Sequence, residues 1–203
     1  MRIGLLGPAQ PTDRDALRDG IEFLLGDVEV ERVLYLGADP TVLHEELASW
    51  GQELGAEAAH GPELARRASE LAANGSPEDI DDLLARNHWH GLLARVHTLP
   101  APPARAVEMI TDRIMLGVYD KSVLDEEDIA NAHLIVYGRA GEAGLKRFGR
   151  RYFLTPGPIG ASRVAVVDVE DDGQISLVLF ETSGVPVWRE NMARGTSKMS
   201  VAR

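Results

Sequence analysis

The sequence predicts an α/β fold of one domain, and three observations support this prediction. In the first part of the chain, apolar runs at residues 2–6 and 33–36 each end at a glycine, and apolar residues at helical spacing follow each run. This order of strand, helix, strand, helix is typical of parallel strands in layered folds. Residues 62–97 are predicted as helices, and the chain beyond residue 104 is rich in strands. At 203 residues, one domain is the expected size.

The two helices of the first part are predicted from their caps and their apolar faces. Thr12, with Asp15 three residues later, is the predicted N-cap of the first helix, and Gly26 is its predicted C-cap. Asp39 is predicted to cap the second helix, with Pro40 at the first helical position. The second helix is expected to place four apolar side chains in the core: Val42, Leu43, Leu47 and Trp50.

Residues 62–97 are predicted to form a helical insertion. One helix is expected from Pro62 to Ala73, and a second is expected to begin after the N-cap Ser76 and to run to about Val96. Apolar side chains are spaced along both helices: Leu64, Leu71, Ile80, Leu83, Leu84, Leu92 and Leu93. Because a solvated linker would not carry so many apolar residues, we expect this segment to pack against the sheets.

The remaining strands are predicted from short apolar runs bounded by glycine, proline or acidic turn residues. They are expected at residues 55–59, 107–110, 114–119, 134–137, 151–154, 163–169 and 174–180. Asp171-Asp172-Gly173 is the turn signal between the last two strands. Residues 125–130 are predicted as a short acidic helix. Residues 183–203 are predicted to be a polar tail, so the domain is expected to span residues 1–182.

Two junctions between a strand and a loop carry a resemblance to a known family. Gly138-Arg139-Ala140-Gly141 follows one predicted strand, and Thr155-Pro156-Gly157-Pro158 follows the next. These junctions resemble the C-terminal signature of the calcineurin-like metallophosphoesterases, in particular the small bacterial phosphodiesterase branch, which reads Gly-His-Thr-His and Asn-Pro-Gly-Ser. The resemblance covers residues 1–60 and 104–182 and implies two β-sheets packed face to face as a sandwich, with helices outside.

The resemblance also implies a pair of metal ions held by five loops, and this chain lacks the expected ligands. The family's loops carry Asp, Asn and His, which supply hard oxygen and imidazole ligands. At the corresponding positions this chain has Pro8, Gln10, Ala38, Tyr119, Arg139 and Gly141. No ligand motif occurs near residues 59–62, where the third loop is expected. Because Arg139 is a fixed cation that would repel metals, we expect no metal and no other cofactor.

Arg139 is predicted to take over the role of the metals as a link between loops. The resemblance places the loops after the strands that contain the lost ligand positions at one end of the sandwich. Asp39 and Asp120 each lie one residue beyond a lost ligand position, so either carboxylate is a candidate partner for the guanidinium. The alternative is an Arg139 side chain that points into solvent.

The predicted function is that of a pseudoenzyme, a non-catalytic member of this family that binds another protein as an adaptor or regulatory scaffold. A retromer subunit of the same fold is a precedent for such a role. The alternative is a phosphoesterase, or an anion- or nucleotide-binding protein, that uses the same cleft with an altered site. In that alternative, Arg139 and the neighbouring backbone amides would hold the anion.

Composition and charge limit the classes of partner. The net charge of −11 argues against binding to nucleic acid or to anionic membranes, so the expected partner is a protein, and a homo-oligomer stays open. The chain has no cysteine and therefore no disulfide framework. The apolar stretch at residues 1–7 is too short for a signal peptide or a membrane span, so we expect a cytoplasmic location. Abundant alanine and arginine indicate a GC-rich bacterial genome.

Three other groups of residues invite a functional interpretation. His88-Trp89-His90 is interpreted as a surface pair, because residues two apart on a helix point to different faces and cannot share a metal ion. The acidic run at residues 125–128 is interpreted as a solvated helix start. A basic group stands out in this acidic chain: Arg139, Lys146, Arg147, Arg150, Arg151 and Arg163. Such cations usually protect the edge of a sheet, or they can receive an acidic partner.

Overall fold

The computed structural model describes residues 1–55 and 62–193, which form two β-sheets packed face to face with helices outside. The strands are β1 (Arg2–Leu6), β2 (Arg32–Tyr35), β3 (Val96–Thr98), β4 (Ala106–Ile110), β5 (Arg113–Val118), β6 (Leu134–Tyr137), β7 (Gly144–Phe148), β8 (Arg151–Thr155), β9 (Arg163–Val169), β10 (Ile175–Glu181) and β11 (Pro186–Asn191). The helices are α1 (Arg14–Glu22), α2 (Thr41–Glu53), α3 (Pro62–Asn74), α4 (Pro77–Leu93) and α5 (Glu126–Asn131). The predicted α/β fold of two sheets flanked by helices is confirmed.

The first sheet has six strands in the order β11-β10-β9-β1-β2-β3. Its strands β1, β2 and β3 are parallel, because helices connect them, whereas β9, β10 and β11 are antiparallel neighbours. At the centre of this sheet, Leu5 lies opposite Leu34 on one side and Ala165 on the other. The carboxyl ends of β1 and β2 therefore lie together at one end of the sheet.

The second sheet has five strands in the order β4-β5-β6-β8-β7. The three central strands β5, β6 and β8 are parallel, so their carboxyl ends also lie together. The outer strands β4 and β7 run antiparallel to their neighbours and form the two edges of this sheet. The loops that follow the parallel strands are the ones that the resemblance assigns to the site.

Apolar side chains hold these layers together on both faces of each sheet. Leu5 and Val136 belong to a fully buried cluster between the two sheets. Leu17 of α1 and Leu43 of α2 are buried against the outer face of the six-stranded sheet. Ile129 of α5 packs against a smaller cluster on the outer face of the five-stranded sheet. The sheets are thus buried on both faces over much of their area, which explains their short continuous apolar runs.

The helices predicted at residues 62–97 are present as α3 and α4. The expectation that both pack against the sheets holds only for α4, whose Leu92 and Leu93 are buried against the six-stranded sheet, whereas α3 has no buried residue. The side chain of Ser76 accepts a hydrogen bond from the backbone N–H of Asp79, and Pro77 opens α4, as predicted. Helix α4 ends at Leu93, earlier than predicted, because the chain must extend to pair β3 with β2. Trp89 of α4 packs on Trp50 of α2, with 5.0 Å between the ring centroids. None of the helices in the described ranges is long and apolar enough to cross a membrane.

The start and end of the first helix differ from the prediction. Gln10, rather than Thr12, precedes the first helical turn, and its backbone N–H donates to the carboxylate of Asp13 at 2.9 Å. Gly26 does not end the helix, because a π-helical turn continues the chain through Gly26 to Asp27. The predicted caps, Thr12 and Gly26, were wrong because a short 3₁₀ turn precedes α1 and a π-helical turn follows it.

Three strands and one boundary were missed. Strand β3 lies at the place where the second inserted helix was expected to end. Strand β7 follows the Gly-rich loop after β6 and pairs with β8, although no strand was predicted there. The prediction of a polar tail from residue 183 was wrong for its first part, because β11 pairs with β10 and Met192 is buried between the sheets. The predicted strand at residues 55–59 lies outside the described residues, apart from Gly55 at its start.

Candidate functional site

Loops from both sheets meet at one end of the sandwich, at the carboxyl ends of the parallel strands. The contact between the loops after β1 and β8 is so close that a Cβ atom on Gly7 would lie 1.6 Å from the backbone oxygen of Gly157. A Cβ atom on Gly138, after β6, would lie 1.9 Å from the backbone oxygen of Leu36, after β2. Only glycine permits this approach of one backbone to another. The glycines that end these strands therefore bring the loops together.

The loops after β5 and β6 are joined by backbone hydrogen bonds. The backbone N–H groups of Gly138 and Arg139 donate to the carbonyl oxygen of Tyr119 at 3.1 and 2.7 Å. This arrangement places the Arg139 guanidinium against the carboxylate of Asp120, and the two form an ion pair. The pair lies at the surface, because 68% of the Arg139 side chain and 20% of the Asp120 side chain are exposed.

Asp120 is held as a carboxylate by its neighbours. Its Oδ1 atom accepts a hydrogen bond from the backbone N–H of Ser122 at 2.9 Å, and its other oxygen faces Arg139. The bond from the Ser122 amide, followed by that from Arg139, lowers the pKa of Asp120 to about 2. The next residue, Lys121, places its ammonium 4.6 Å from the centre of the Tyr137 ring. Asp120 therefore stays negative at neutral pH and the adjoining surface carries two cations.

Asp39, the other predicted partner of Arg139, is used differently. Its carboxylate accepts hydrogen bonds from the side-chain hydroxyl of Thr41 at 2.6 Å and from the backbone N–H of Thr41 at 2.9 Å. These two bonds lower the pKa of Asp39 below its usual value. Asp39 thus binds the first residue of α2 from a position one residue before the N-cap, which is Pro40 and not Asp39 as predicted, and it does not pair with Arg139 in the described residues. The hydrogen bonds to Thr41, two residues away, are favoured over an ion pair with the distant Arg139, because they cost less conformational entropy.

Tyr35, at the end of β2, is a residue of this site that the sequence analysis missed. Its side chain is 0% exposed, and its hydroxyl accepts a hydrogen bond from the backbone N–H of Ala9 at 2.9 Å. The same hydroxyl lies 3.4 Å from the carbonyl oxygen of Asp39, which it can reach only as a weak donor. Burial raises the pKa of the Tyr35 hydroxyl above its usual value. Tyr35 thus connects the loop after β1 to the loop after β2.

The remaining predicted positions are structural parts of these loops. The carbonyl oxygen of Pro8 accepts a hydrogen bond from the backbone N–H of Ile159 at 3.1 Å, and Gln10 is exposed at the start of the 3₁₀ turn. Ala38 and Gly141 are exposed. The third loop, near residues 59–62, lies outside the described residues except for Pro62.

The histidines do not build a metal centre in the part of the chain that the structure describes. His88 is exposed, whereas His90 is partly buried, so the two do not share one face of α4. The Nδ1 atom of His133 accepts a hydrogen bond from the backbone N–H of Ile114 at 3.3 Å. Residues 1–55 and 62–193 contain no group of three or more His, Asp or Glu side chains placed to hold a metal ion.

Comparison with known proteins supports the fold. No family model and no curated protein matches the sequence. The chain is similar to the solved structure of YfcE, a phosphoesterase from E. coli, with 12% identity, a TM-score of 0.55, and coverage of 95% of this chain and 100% of YfcE. An archaeal phosphodiesterase has 15% identity, a TM-score of 0.49, and coverage of 89% and 100%. A Vps29 double mutant from Entamoeba histolytica has 14% identity, a TM-score of 0.48, and coverage of 95% and 100%.

The similarity to YfcE extends over both sheets, since it covers nearly the whole chain. It agrees with the order of the elements, with two sheets packed face to face and loops meeting at the carboxyl ends of the parallel strands. At the junctions at Gly138 and Gly157, the close approach of backbones accounts for the glycines of the motifs that carried the resemblance. The chain therefore has the fold of the calcineurin-like metallophosphoesterases.

Proposed function

We propose that this chain is a non-catalytic protein of the metallophosphoesterase fold that acts as an adaptor by binding another protein. The observation that carries the proposal is the ion pair between Arg139 and Asp120 at the meeting point of the loops. The resemblance assigns Arg139 to a position where the family's enzymes have a metal ligand, and its guanidinium is itself a link between two loops. The hydroxyl of Tyr35 is a second link of this kind.

The side chains at the expected ligand positions do not fit a pair of divalent metal ions. Such ions need hard oxygen or imidazole ligands, and a bridging carboxylate between them. Pro8 and Ala38 offer no side-chain donor, and Gln10 begins a helical turn at the surface. Arg139 would add a positive charge beside the metals. We therefore assign no catalytic step to this site.

The charge balance supports the same proposal. Loss of the metals alone would leave ligand carboxylates crowded together, at a considerable cost in stability when they are buried. Here the two carboxylates that follow lost ligand positions have partners within the protein, because Asp39 binds Thr41 and Asp120 binds Ser122 and Arg139. The loops can therefore keep their arrangement without a metal.

Exposed apolar side chains support a role in binding another protein. Val107 and Met109 on the edge strand β4, and Phe148 on the edge strand β7, are each more than half exposed. Large apolar side chains at the open edges of a sheet are a liability unless a partner covers them. An adaptor would use such positions, whereas a small-molecule enzyme would not need them.

Metal analysis and an activity assay test the non-catalytic part of the proposal. The purified protein is incubated with Mn²⁺, desalted and analysed for Mn, Fe, Ni and Zn, and then assayed with a generic phosphodiester. We expect metal far below one ion per chain and no hydrolysis above the rate in buffer. Two metal ions per chain, with hydrolysis that a chelator abolishes, would overturn the proposal. The adaptor part requires a partner identified from native cells and reconstituted with the purified chain at a measurable Kd.

The alternative function is the binding of an anion or nucleotide at the same end of the sandwich. The observation that favours it is the exposure of Arg139, whose guanidinium a phosphate could reach, with Lys121 on the neighbouring loop. Titration with inorganic phosphate and with AMP, followed by thermal unfolding, separates the two functions. A rise in Tm that is lost in Arg139→Ala would favour anion binding, and no change favours the adaptor.

A further inference from the structure

The hairpin formed by β7 and β8 differs in charge from the rest of the chain. Residues 144–151 contain four cationic side chains and no carboxylate, in a protein with a net charge of −11. Lys146, Arg147 and Arg150 are exposed, and Arg151 is partly exposed. Arg163, which the sequence analysis grouped with them, begins β9 in the other sheet. The basic surface is therefore narrower than predicted and is centred on this hairpin.

The four cations of the hairpin are not neutralised within the described residues. Arginines elsewhere in these residues mostly pair with carboxylates, as Arg14 does with Glu45 and Arg32 does with Glu108. Side chains of the hairpin instead bind neutral groups: Arg147 donates to the carbonyl oxygen of Gly149, and Arg151 to that of Ala130. The local positive field is thus available to a partner that carries negative charge.

Strand β7 is also an open edge. It pairs with β8 through residues 144–148 and has no second neighbour in the described part of the chain. The outward backbone N–H and C=O groups of this strand can therefore pair with an added strand. Lysine and arginine on an edge strand discourage pairing with neutral or basic strands, but they attract an acidic one.

The side chains on β7 provide an apolar contact as well as charge. Phe148 is 63% exposed and meets Phe153 edge to face, with 5.6 Å between ring centroids. Because side chains alternate along a strand, Lys146 lies on the same face as Phe148, while Arg147 lies on the other face, over the Tyr152 ring. Protection of the edge accounts for the cations but not for an exposed phenylalanine between them. An added strand would cover this ring.

We propose that the β7 edge is a docking site for an extended, acidic segment of a partner protein, which adds to the five-stranded sheet as a sixth strand. Backbone pairing supplies affinity, the cations select Asp and Glu side chains, and Phe148 receives an apolar side chain. This inference rests on the proposed adaptor function and gives it a surface and a partner chemistry. The net charge of −11 disfavours a long polyanion such as nucleic acid, whereas a short acidic segment responds mainly to the charges within a Debye length.

The test uses a fluorescein-labelled peptide in which Glu and Val lie two residues apart with Thr between them, so that both can share a face with Lys146 and Phe148, and which is long enough to span the five residues of β7. Fluorescence anisotropy with the full chain should show binding that weakens as salt is raised. Lys146→Glu and Phe148→Ser should each weaken binding about tenfold. Arg95→Glu is the matched control, because Arg95 is exposed and forms no ion pair in the described residues, and it should bind the peptide as the unaltered chain does.

Four comparison ligands separate strand addition from simple charge attraction. The same peptide N-methylated at every residue cannot donate any backbone hydrogen bond to β7, and we expect it to bind about tenfold more weakly. A Lys-Val peptide should not bind. Equal binding of the N-methylated peptide, or equal loss in Arg95→Glu and Lys146→Glu, would overturn the proposal. Preference for phosphatidylserine vesicles or for a single-stranded oligonucleotide would overturn it as well.

The outcome can be separated from that of the proposed function. Failure of the peptide to bind, with metal analysis still negative, removes the β7 docking site and leaves the adaptor proposal standing. Metal binding with phosphodiesterase activity removes the non-catalytic function, whatever the peptide does. Each proposal therefore has a result that contradicts it alone.

Discussion

Replacement of Tyr35 by phenylalanine tests how the loops are held together. The change keeps the buried ring, so it opens no cavity, and removes only the hydroxyl. The hydrogen bond from the backbone N–H of Ala9 is lost, and that partly buried donor is left without its partner. The contact of 3.4 Å with the carbonyl of Asp39 is too long to add much.

The expected cost follows from one lost hydrogen bond at a partly buried donor, about 1–2 kcal/mol. For a protein of this size, each kcal/mol corresponds to about 2–4 °C in Tm, so Tyr35→Phe should lower Tm by about 2–8 °C. Thermal unfolding followed by circular dichroism measures this change, and a urea titration gives the free energy of unfolding independently.

Tyr137→Phe is the matched control for this experiment. Tyr137 is also buried at a strand end, but its hydroxyl forms no hydrogen bond to any residue in the described ranges. Its replacement should leave Tm nearly unchanged. Equal Tm values for the two variants would refute the role of the Tyr35 hydroxyl as a link between the loops.

Three further changes test the site, each by a measurement of stability or pKa. Gly7→Ala should destabilise the protein by about 1–3 kcal/mol or more, since a Cβ atom there meets a backbone oxygen at 1.6 Å. Gly141→Ala is the control and should leave the free energy of unfolding in urea unchanged, because a Cβ atom at Gly141 has no contact within 4 Å. The backbone N–H of Ser122 and then Arg139 lower the pKa of Asp120 to about 2, so the stability that this carboxylate contributes should be present above pH 4 and be lost as the pH falls toward 2. Because Arg139 is only the second cause, an NMR titration of Arg139→Ala should show a partial rise in the pKa of Asp120. Because burial raises the pKa of Tyr35, its folded form favours the protonated hydroxyl, and stability should fall as pH rises above about 10 by more than in Tyr35→Phe.

Much of the fold could be predicted because the central strands are buried on both faces. The run Leu134–Tyr137 is continuous and apolar and ends at a glycine, so its strand was evident from the sequence. The edge strands β3, β7 and β11 were missed, because β3 has only three residues and the other two are mostly exposed and carry charged residues. Their pairing depends on neighbouring strands that are already in place, and no local pattern records it.

The parts of the site that depend on residues close together in sequence could be predicted, whereas contacts between distant residues could not. The bond of Asp39 to the start of α2 could be predicted to within one residue from its neighbours, and the glycines at the strand ends could be predicted as well. Tyr35 reads as one more apolar residue of a buried strand, since its hydroxyl partner Ala9 is distant in sequence. An aromatic residue with a polar tip at the end of a buried strand is the one signal that could have indicated it.

If the loops keep their arrangement without metal, Mn²⁺ should not stabilise the protein. The Tm in the presence of Mn²⁺ and of a chelator tests this most directly. A ligand at one hundred times its Kd stabilises the folded state by about 2.7 kcal/mol, which corresponds to about 5–11 °C for a protein of this size. We predict the same Tm in chelator and in millimolar Mn²⁺. A rise of several degrees with Mn²⁺, reversed by the chelator and absent in a variant of the loop residues, would contradict the claim.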